Sequence, residues 1–140
     1  MRRRFLAAAL PLLALAACQT PGHPMSGQRT SGPGPADRTV VYFTADSAAL
    51  DENASALVEE VAERAKANPA VPVRVRGFAA PDTGTAAFNR TLAEARAQHV
   101  ADHLAESGVD RRRIRIESRG AVPFEMMATE SRRVEIVLGN

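Results

Sequence analysis

Two kinds of apolar spacing alternate along residues 39–138, and this alternation constrains the fold more than any other feature. Two-residue alternation and β-branched runs predict four strands, at residues 39–44, 71–78, 113–118 and 132–138. Apolar residues at three- and four-residue steps predict two helices, over about 51–67 and 86–107. The order β-α-β-α-β-β predicts an α/β fold, a two-layer sandwich in which two helices cover one face of a mixed sheet.

The first 18 residues read as an export signal. Arg2, Arg3 and Arg4 precede an apolar run over residues 5–17, which is shorter than the roughly 20 residues of a membrane-spanning helix. The run ends in Leu-Ala-Ala-Cys, which resembles the lipobox of bacterial lipoproteins, and Cys18 is the only cysteine of the chain. We therefore expect residues 1–17 to be a removed signal peptide and Cys18 to carry lipid. The alternative is an ordinary secretory signal followed by a free cysteine.

Residues 18–38 form the next predicted segment. Twelve of the twenty positions from 19 to 38 are Gly, Pro, Ser or Thr, a composition that cannot bury enough apolar surface to fold. We expect a disordered tether here, followed by one domain over residues 39–140. Removal of the signal leaves 15 basic against 16 acidic residues, so nucleic acid is not an expected partner.

Two polar residues interrupt the apolar side of the second predicted helix. Asn89 and Arg96 lie two turns apart, in the middle of an apolar arc that includes Phe88, Leu92 and Val100. A charge among core-facing residues must be paired and hydrogen-bonded. One hypothesis is that Arg96 binds a ligand carboxylate in a cleft beneath the loop at 79–85. The other is that it pairs with a carboxylate of the protein itself.

The segment around this helix resembles the signature of the OmpA-like peptidoglycan-binding domain, which also occurs in peptidoglycan-associated lipoproteins. The intervals of the family motif are intact from Gly84 onward. The matching positions are Gly77, Gly84, Asn89, Leu92, Arg96, Ala97 and Val100. Segments 42–50, 108–120 and 131–138 are similar to the first strand and turn, the third strand and the closing strand of that family.

This resemblance implies non-covalent binding of the peptide stem of peptidoglycan. In the family, the arginine at the position of Arg96 binds a carboxylate of diaminopimelate, and Asn89 matches the asparagine that opens the helix. The family aspartate, which holds the ammonium group of the same ligand, is replaced here by Pro81, because the loop is one residue longer. Asp82 is the neighbouring candidate for this role, and an exposed turn residue is the alternative.

Other residues carry weaker hypotheses. His99 and His103 are four residues apart and could share a metal ion, but no third ligand stands at a suitable spacing, so we expect no metal and no cofactor. A basic cluster at residues 111–115 is expected to form a solvated rim, with contact to acidic groups of peptidoglycan or to lipid headgroups as the alternative. Residues 120–131 have no assigned structure, and Met126 and Met127 are expected to fill packing gaps. No catalytic motif is present, so we expect no enzyme.

Together these features predict a lipoprotein of the cell outer membrane, with its domain in the periplasm. Gln19 follows the lipobox cysteine, whereas aspartate at that position is the inner-membrane retention signal of bacterial lipoproteins. The expected partners are peptidoglycan, the outer membrane through the lipid on Cys18, and other envelope proteins. The expected function is to tether the membrane to the cell wall. The alternative is a degenerate OmpA-like domain that acts as a periplasmic protein-interaction or assembly scaffold.

Overall fold

The structure, a computed structural model, describes residues 37–139. The predicted signal peptide, Cys18 and residues 19–36 of the predicted tether lie outside this range. The described residues form four strands and two helices: β1 (Asp37–Tyr42), α1 (Glu52–Ala67), β2 (Val73–Ala79), α2 (Ala86–Glu106), β3 (Ile114–Ala121) and β4 (Arg133–Leu138). β1 therefore begins inside the segment predicted as tether, because Asp37 and Arg38 pair with Leu138 and Val137 of β4.

The strands form one mixed sheet in the order β1-β4-β2-β3. β2 and β3 are parallel, and β4 runs antiparallel to both β1 and β2. Both helices pack on the same face of this sheet, where the core contains Val41, Val75 and Ile136 of the strands with Val58 and Leu104 of the helices. The predicted two-layer α/β sandwich is thus confirmed.

Local chemistry places the ends of the helices. The side chain of Asp51 accepts a hydrogen bond from the Ala54 amide (2.7 Å), so α1 begins one residue later than predicted, with Asp51 as its N-cap. Thr85 caps α2 in the same way, through the Phe88 amide (3.2 Å). Gly108 follows the end of α2 with a φ of +100°, a conformation that favours glycine. Among the described residues, no helix is long and apolar enough to cross a membrane.

A close approach between β2 and α2 depends on Gly77. A Cβ atom built on Gly77 would lie 1.9 Å from the carbonyl oxygen of Ala93, so only glycine allows the helix to sit this close to the strand. This contact fixes the position of α2 over the sheet. It therefore also fixes where Asn89 and Arg96 lie relative to the end of β2.

Two apolar predictions are wrong. Phe88 is 45% exposed, because it lies in the first turn of α2 and packs over Gly84 rather than into the core. Met126 and Met127 are 85% and 63% exposed and fill no packing gap. Their segment, left unassigned from the sequence, contains the end of β3 and a short 3₁₀ turn at Ala128–Ser131.

Candidate functional site

A cleft of about 430 Å³ opens at the edge of the sheet where β1 ends and β4 begins. Because β4 is antiparallel to β1, Arg132 at the start of β4 meets the residues that follow β1, and the Phe43 amide donates to the Arg132 carbonyl (2.8 Å). The cleft is lined by Tyr42, Phe43, Thr44, Ala45, Asp51, Thr129 and Arg132.

Arg96 lies behind the wall of this cleft and is fully buried. Its Nε donates to the carbonyl of Ser47 (2.8 Å), its Nη1 to that of Phe78 (3.1 Å) and its Nη2 to that of Thr44 (3.0 Å). Its guanidinium carbon lies 5.3 Å from the centre of the Phe43 ring. The predicted inward orientation of Arg96 is confirmed, but its protein partners are backbone carbonyls rather than a carboxylate. Arg96 thereby joins α2, β2 and the loop after β1.

The charges around Arg96 place positive potential behind the cleft. Burial lowers the pKa of the Arg96 guanidinium, and the nearby positive charge of Arg132 lowers this pKa further, while Asp46 acts in the opposite direction. A guanidinium keeps its charge even so, because its ordinary pKa lies far above neutral pH. Asp46 sits in the loop after β1 with a φ of +52°. The cleft lining therefore contains the cationic Arg132 and the carboxylate of Asp51, and the charge of Arg96 lies behind the lining.

Asn89 holds the loop between β2 and α2. It is 1% exposed, as the periodicity predicts, and its Nδ2 donates to the Gly84 carbonyl (3.4 Å). Gly84 has a φ of +147°, in the region that favours glycine. Asn89 thus fixes the loop whose other residues include Asp82, and its side chain lies beneath that loop rather than in the cleft lining.

Asp82 enters the site through a residue that the sequence analysis did not single out. Its Oδ2 lies 3.2 Å from Nη2 of Arg132, with the Asp82 side chain 45% exposed and that of Arg132 18% exposed. Nε of Arg132 is buried and has no hydrogen-bond partner within residues 37–139. Arg132 could have been identified only from the strand order. Because β4 runs antiparallel to β2, the start of β4 lies beside the end of β2.

The two histidines do not converge on a common ligand. Nδ1 of His99 lies 2.6 Å from the Ala48 carbonyl, whereas Nε2 of His103 lies 3.3 Å from a carboxylate oxygen of Glu59. Within the part of the chain that the structure describes, no group of three His, Cys, Asp or Glu residues could hold a metal ion. The metal hypothesis therefore gains no third ligand.

The basic cluster at residues 111–115 separates into different roles. Arg113 is structural, since its guanidinium donates to the carbonyls of Val71 (2.7 Å) and Asn68 (2.8 Å). Arg111 forms an ion pair with Asp102 (2.8 Å). Arg112 and Arg115 are exposed. Only part of the predicted rim is therefore available to a partner.

Residues 42–135 match the OmpA family, and this range covers the cleft, both helices and most of the sheet. The chain belongs to the OmpA family. It is 48% identical over 82 residues to outer membrane protein 40 of Porphyromonas gingivalis, a match that covers 59% of this chain and 21% of that protein. The chain thus spans about a fifth of the length of this relative.

Solved OmpA-like structures share the fold. The peptidoglycan-associated lipoprotein of Burkholderia pseudomallei superposes with a TM-score of 0.65 at 26% identity, over 71% of this chain and 88% of that one. The C-terminal domain of Helicobacter pylori MotB gives a TM-score of 0.64 at 25% identity, over 73% of this chain and 84% of that one. In each comparison the matched region covers more than four fifths of the solved chain.

Proposed function

We propose that this chain is an outer-membrane lipoprotein that binds the peptide stem of peptidoglycan non-covalently and tethers the membrane to the wall. The observation that carries the proposal is the ion pair of Asp82 and Arg132 at the edge of the cleft. A diaminopimelate side chain ends in an ammonium and a carboxylate, so its recognition needs both signs of charge at one place. Arg132 and Asp82 offer both at the mouth of the cleft.

Each site residue has a separate role in this proposal. Arg132, which lines the cleft, contacts the ligand carboxylate, and its planar guanidinium is suited to bidentate contact. Arg96 lies buried behind the cleft wall and adds positive potential there. The three hydrogen bonds of Arg96 to backbone carbonyls hold the loop after β1, which forms part of the cleft lining. Asp82 accepts from the ligand ammonium, and Asn89 holds the loop that carries Asp82.

The position of the cleft agrees with a tether. β1 enters the domain at Asp37 and delivers the chain to the cleft at Tyr42, about 17 Å further along the strand. The segment that leads back to Cys18 therefore joins the domain at the end of β1 opposite to the cleft. The point of attachment and the cleft are thus separated by the length of β1. The Burkholderia pseudomallei relative is named a peptidoglycan-associated lipoprotein, which supports the proposed combination of a lipid anchor with peptidoglycan binding.

Sedimentation with purified diaminopimelate-type peptidoglycan tests the proposal. The core cluster lies within residues 41–138, so a fragment that starts at Ser31, the start of the second compact unit, retains the whole core. We expect this fragment to pellet with peptidoglycan and to be competed off by free diaminopimelate. A folded fragment that stays in the supernatant, while the Burkholderia pseudomallei domain pellets under the same conditions, would contradict the proposal.

The exposed apolar side chains of Phe124, Met126 and Met127 favour a second candidate function, the protein-interaction scaffold. Large exposed apolar side chains that lie close along the chain are typical of contact surfaces. A protein partner that stays bound after muramidase digestion, and that is lost on Met126→Ser, would support the scaffold. Loss of the partner on digestion would favour wall binding.

A further inference from the structure

The face of the sheet without helices carries its charges in rows across the strands. The pairing register places Arg38 beside Val137, Val137 beside Arg74, and Arg74 beside Arg115. Residues that are paired in register share one face of a sheet. This row lies next to Asp37, at the end of the sheet where β1 begins. We call its three arginines, Arg38, Arg74 and Arg115, the basic row.

No carboxylate lies in the basic row itself. The side chain of Arg38 is 62% exposed, and its ion pair with Glu135 is long, at 3.8 Å. Nη2 of Arg74 donates to the Gly139 carbonyl (3.2 Å), and Arg115 is exposed without an ion pair within residues 37–139. The basic row therefore presents three positive charges that the protein leaves largely uncompensated.

The next row toward the cleft has the opposite balance. It consists of Val40, Glu135, Arg76 and Glu117, in which Arg76 is paired with Glu117 (3.1 Å). Arg133, in the row beyond, is paired with Glu135 (2.9 Å). The arginines of these two rows therefore have close carboxylate partners, whereas those of the basic row do not. On the other layer, α1 carries four exposed glutamates against two basic residues. Positive charge therefore lies on the helix-free face of the sheet and negative charge on α1, although acidic and basic residues are nearly balanced in number.

We propose that the basic row docks the domain on the anionic phospholipid headgroups of the membrane that carries its anchor. The chain toward Cys18 leaves the domain at Asp37, directly beside Arg38, and residues 19–36 separate it from the predicted lipid. The covalent path to the predicted lipid therefore starts at the end of the sheet that carries the basic row. Guanidinium groups bind phosphate oxygens bidentately and match this surface chemically.

This docking extends the proposed function and relies on the proposed lipid anchor only for the choice of membrane as partner. The basic row and the cleft lie at opposite ends of β1, so the domain can contact headgroups with one end and peptidoglycan with the other. Each basic residue near an anionic membrane raises partitioning about fivefold. Three arginines then give about a hundredfold preference for anionic over neutral vesicles. In a lipid-anchored domain, which is already held at the membrane, the same preference would favour the orientation in which the basic row faces the headgroups.

Vesicle sedimentation of the fragment that starts at Ser31, which lacks Cys18, tests the basic row without the anchor. The vesicles contain phosphatidylglycerol and phosphatidylcholine, or phosphatidylcholine alone. The test variant is Arg38→Gln with Arg115→Gln, and the matched control is Arg90→Gln with Arg119→Gln, which removes the same charge from exposed positions at the other end of the domain. Circular dichroism verifies that all forms are folded.

We expect the wild-type fragment and the control to bind the anionic vesicles at about 0.01 M salt, and to bind them more weakly at about 0.15 M as screening shortens the range of the charges. The test variant should bind about 25-fold more weakly, with peptidoglycan sedimentation unchanged. Equal vesicle binding by the two double variants, or no binding of wild type, would overturn the proposal. So would a test variant that loses peptidoglycan and keeps vesicles, because the basic row would then belong to the wall contact. Failure of peptidoglycan binding with vesicle binding intact would instead count against the proposed function only.

Discussion

Oδ2 of Asp82 lies 3.2 Å from Nη2 of Arg132, so that the loop after β2 is joined to the residue before β4 at the mouth of the cleft. The pair places one positive and one negative charge at the mouth of the cleft. A zwitterionic ligand would exchange this contact for two of its own, since its carboxylate can face Arg132 and its ammonium can face Asp82. The ion pair thus keeps both groups in place while the ligand is absent.

Replacement of Asp82 by asparagine tests whether this carboxylate contacts the ligand. We expect Asp82→Asn to weaken peptidoglycan binding, because the ligand ammonium loses a charged acceptor. A charged hydrogen bond contributes about 1.5–3 kcal/mol, which corresponds to roughly a tenfold to hundredfold rise in Kd. The measurement is a sedimentation isotherm, with Glu125→Gln as a control of equal charge change on an exposed residue. Tighter binding by Asp82→Asn would show that Asp82 merely competes with the ligand for Arg132.

Replacement of Arg96 should act first on stability. Arg96→Met keeps much of the side-chain volume but leaves the carbonyls of Ser47, Phe78 and Thr44 without this donor. The bond to the Phe78 carbonyl is buried, and the other two are partly buried. A buried acceptor without a partner costs about 1–3 kcal/mol, so we expect a loss of about 2 kcal/mol or more in the free energy of unfolding. Urea denaturation measures it. Arg90→Met, at an exposed position of the same helix, should change this free energy by less than about 0.5 kcal/mol. Similar small losses in both variants would contradict the role assigned to Arg96.

The contact at Gly77 should tolerate no side chain. In Gly77→Ala the new methyl group would meet the Ala93 carbonyl oxygen at 1.9 Å, so β2 and α2 must separate. Overpacking of this kind costs about 1–3 kcal/mol, and we expect a lower thermal midpoint together with weaker peptidoglycan binding, because α2 carries Asn89 and Arg96. Ala121→Ser, at an exposed position of the neighbouring β3, is the control. An unchanged midpoint in Gly77→Ala would mean that the helix can move away without loss.

Asp102 gives a small pH dependence of stability with a defined sign. The hydrogen bond from Arg111, followed by one from Gln98, holds the pKa of the Asp102 carboxyl below its ordinary value. Because the pKa is depressed in the folded state, the pair stabilises the fold above the ordinary aspartate pKa of about 4 and stops doing so as pH falls through the folded pKa.

The Asp102 side chain is 39% exposed, so the contribution should stay below about 1 kcal/mol. Urea denaturation of wild type and Asp102→Asn should therefore show this difference at pH 7 and a convergence of the two below pH 4. A difference that grows as the pH falls would contradict the assignment.

Periodicity and capping chemistry are sufficient to predict the architecture of this domain. The six helices and strands, the burial of Asn89 and Arg96 and the cap at Gly108 all follow from local spacing, which backbone geometry dictates directly. The exposure of Phe88 does not follow from spacing, because one residue at the start of a helix can extend past the edge of the sheet. The exposure of Met126 and Met127 could not be predicted either, because the apolar residues of their segment follow no regular spacing.

The site could be predicted only in part, since its parts come from distant segments. Arg96 and Asn89 can be recognised from the sequence as polar residues on an apolar arc. Their partners are backbone carbonyls, which no sequence motif identifies. Arg132 becomes visible only when β4 is placed antiparallel between β1 and β2. The basic row likewise depends on register, because its arginines are scattered along the sequence at positions 38, 74 and 115.

Peptidoglycan sedimentation of Arg132→Gln tests whether the wall binds at this cleft. Arg132 lines the cleft and pairs with the partly exposed Asp82, so its replacement should leave the fold intact. We expect wild type and the control Arg119→Gln to pellet with diaminopimelate-type peptidoglycan, whereas folded Arg132→Gln binds at least about tenfold more weakly. Undiminished binding of Arg132→Gln would show that peptidoglycan binds elsewhere than at this cleft, and the proposed function of the cleft would be wrong.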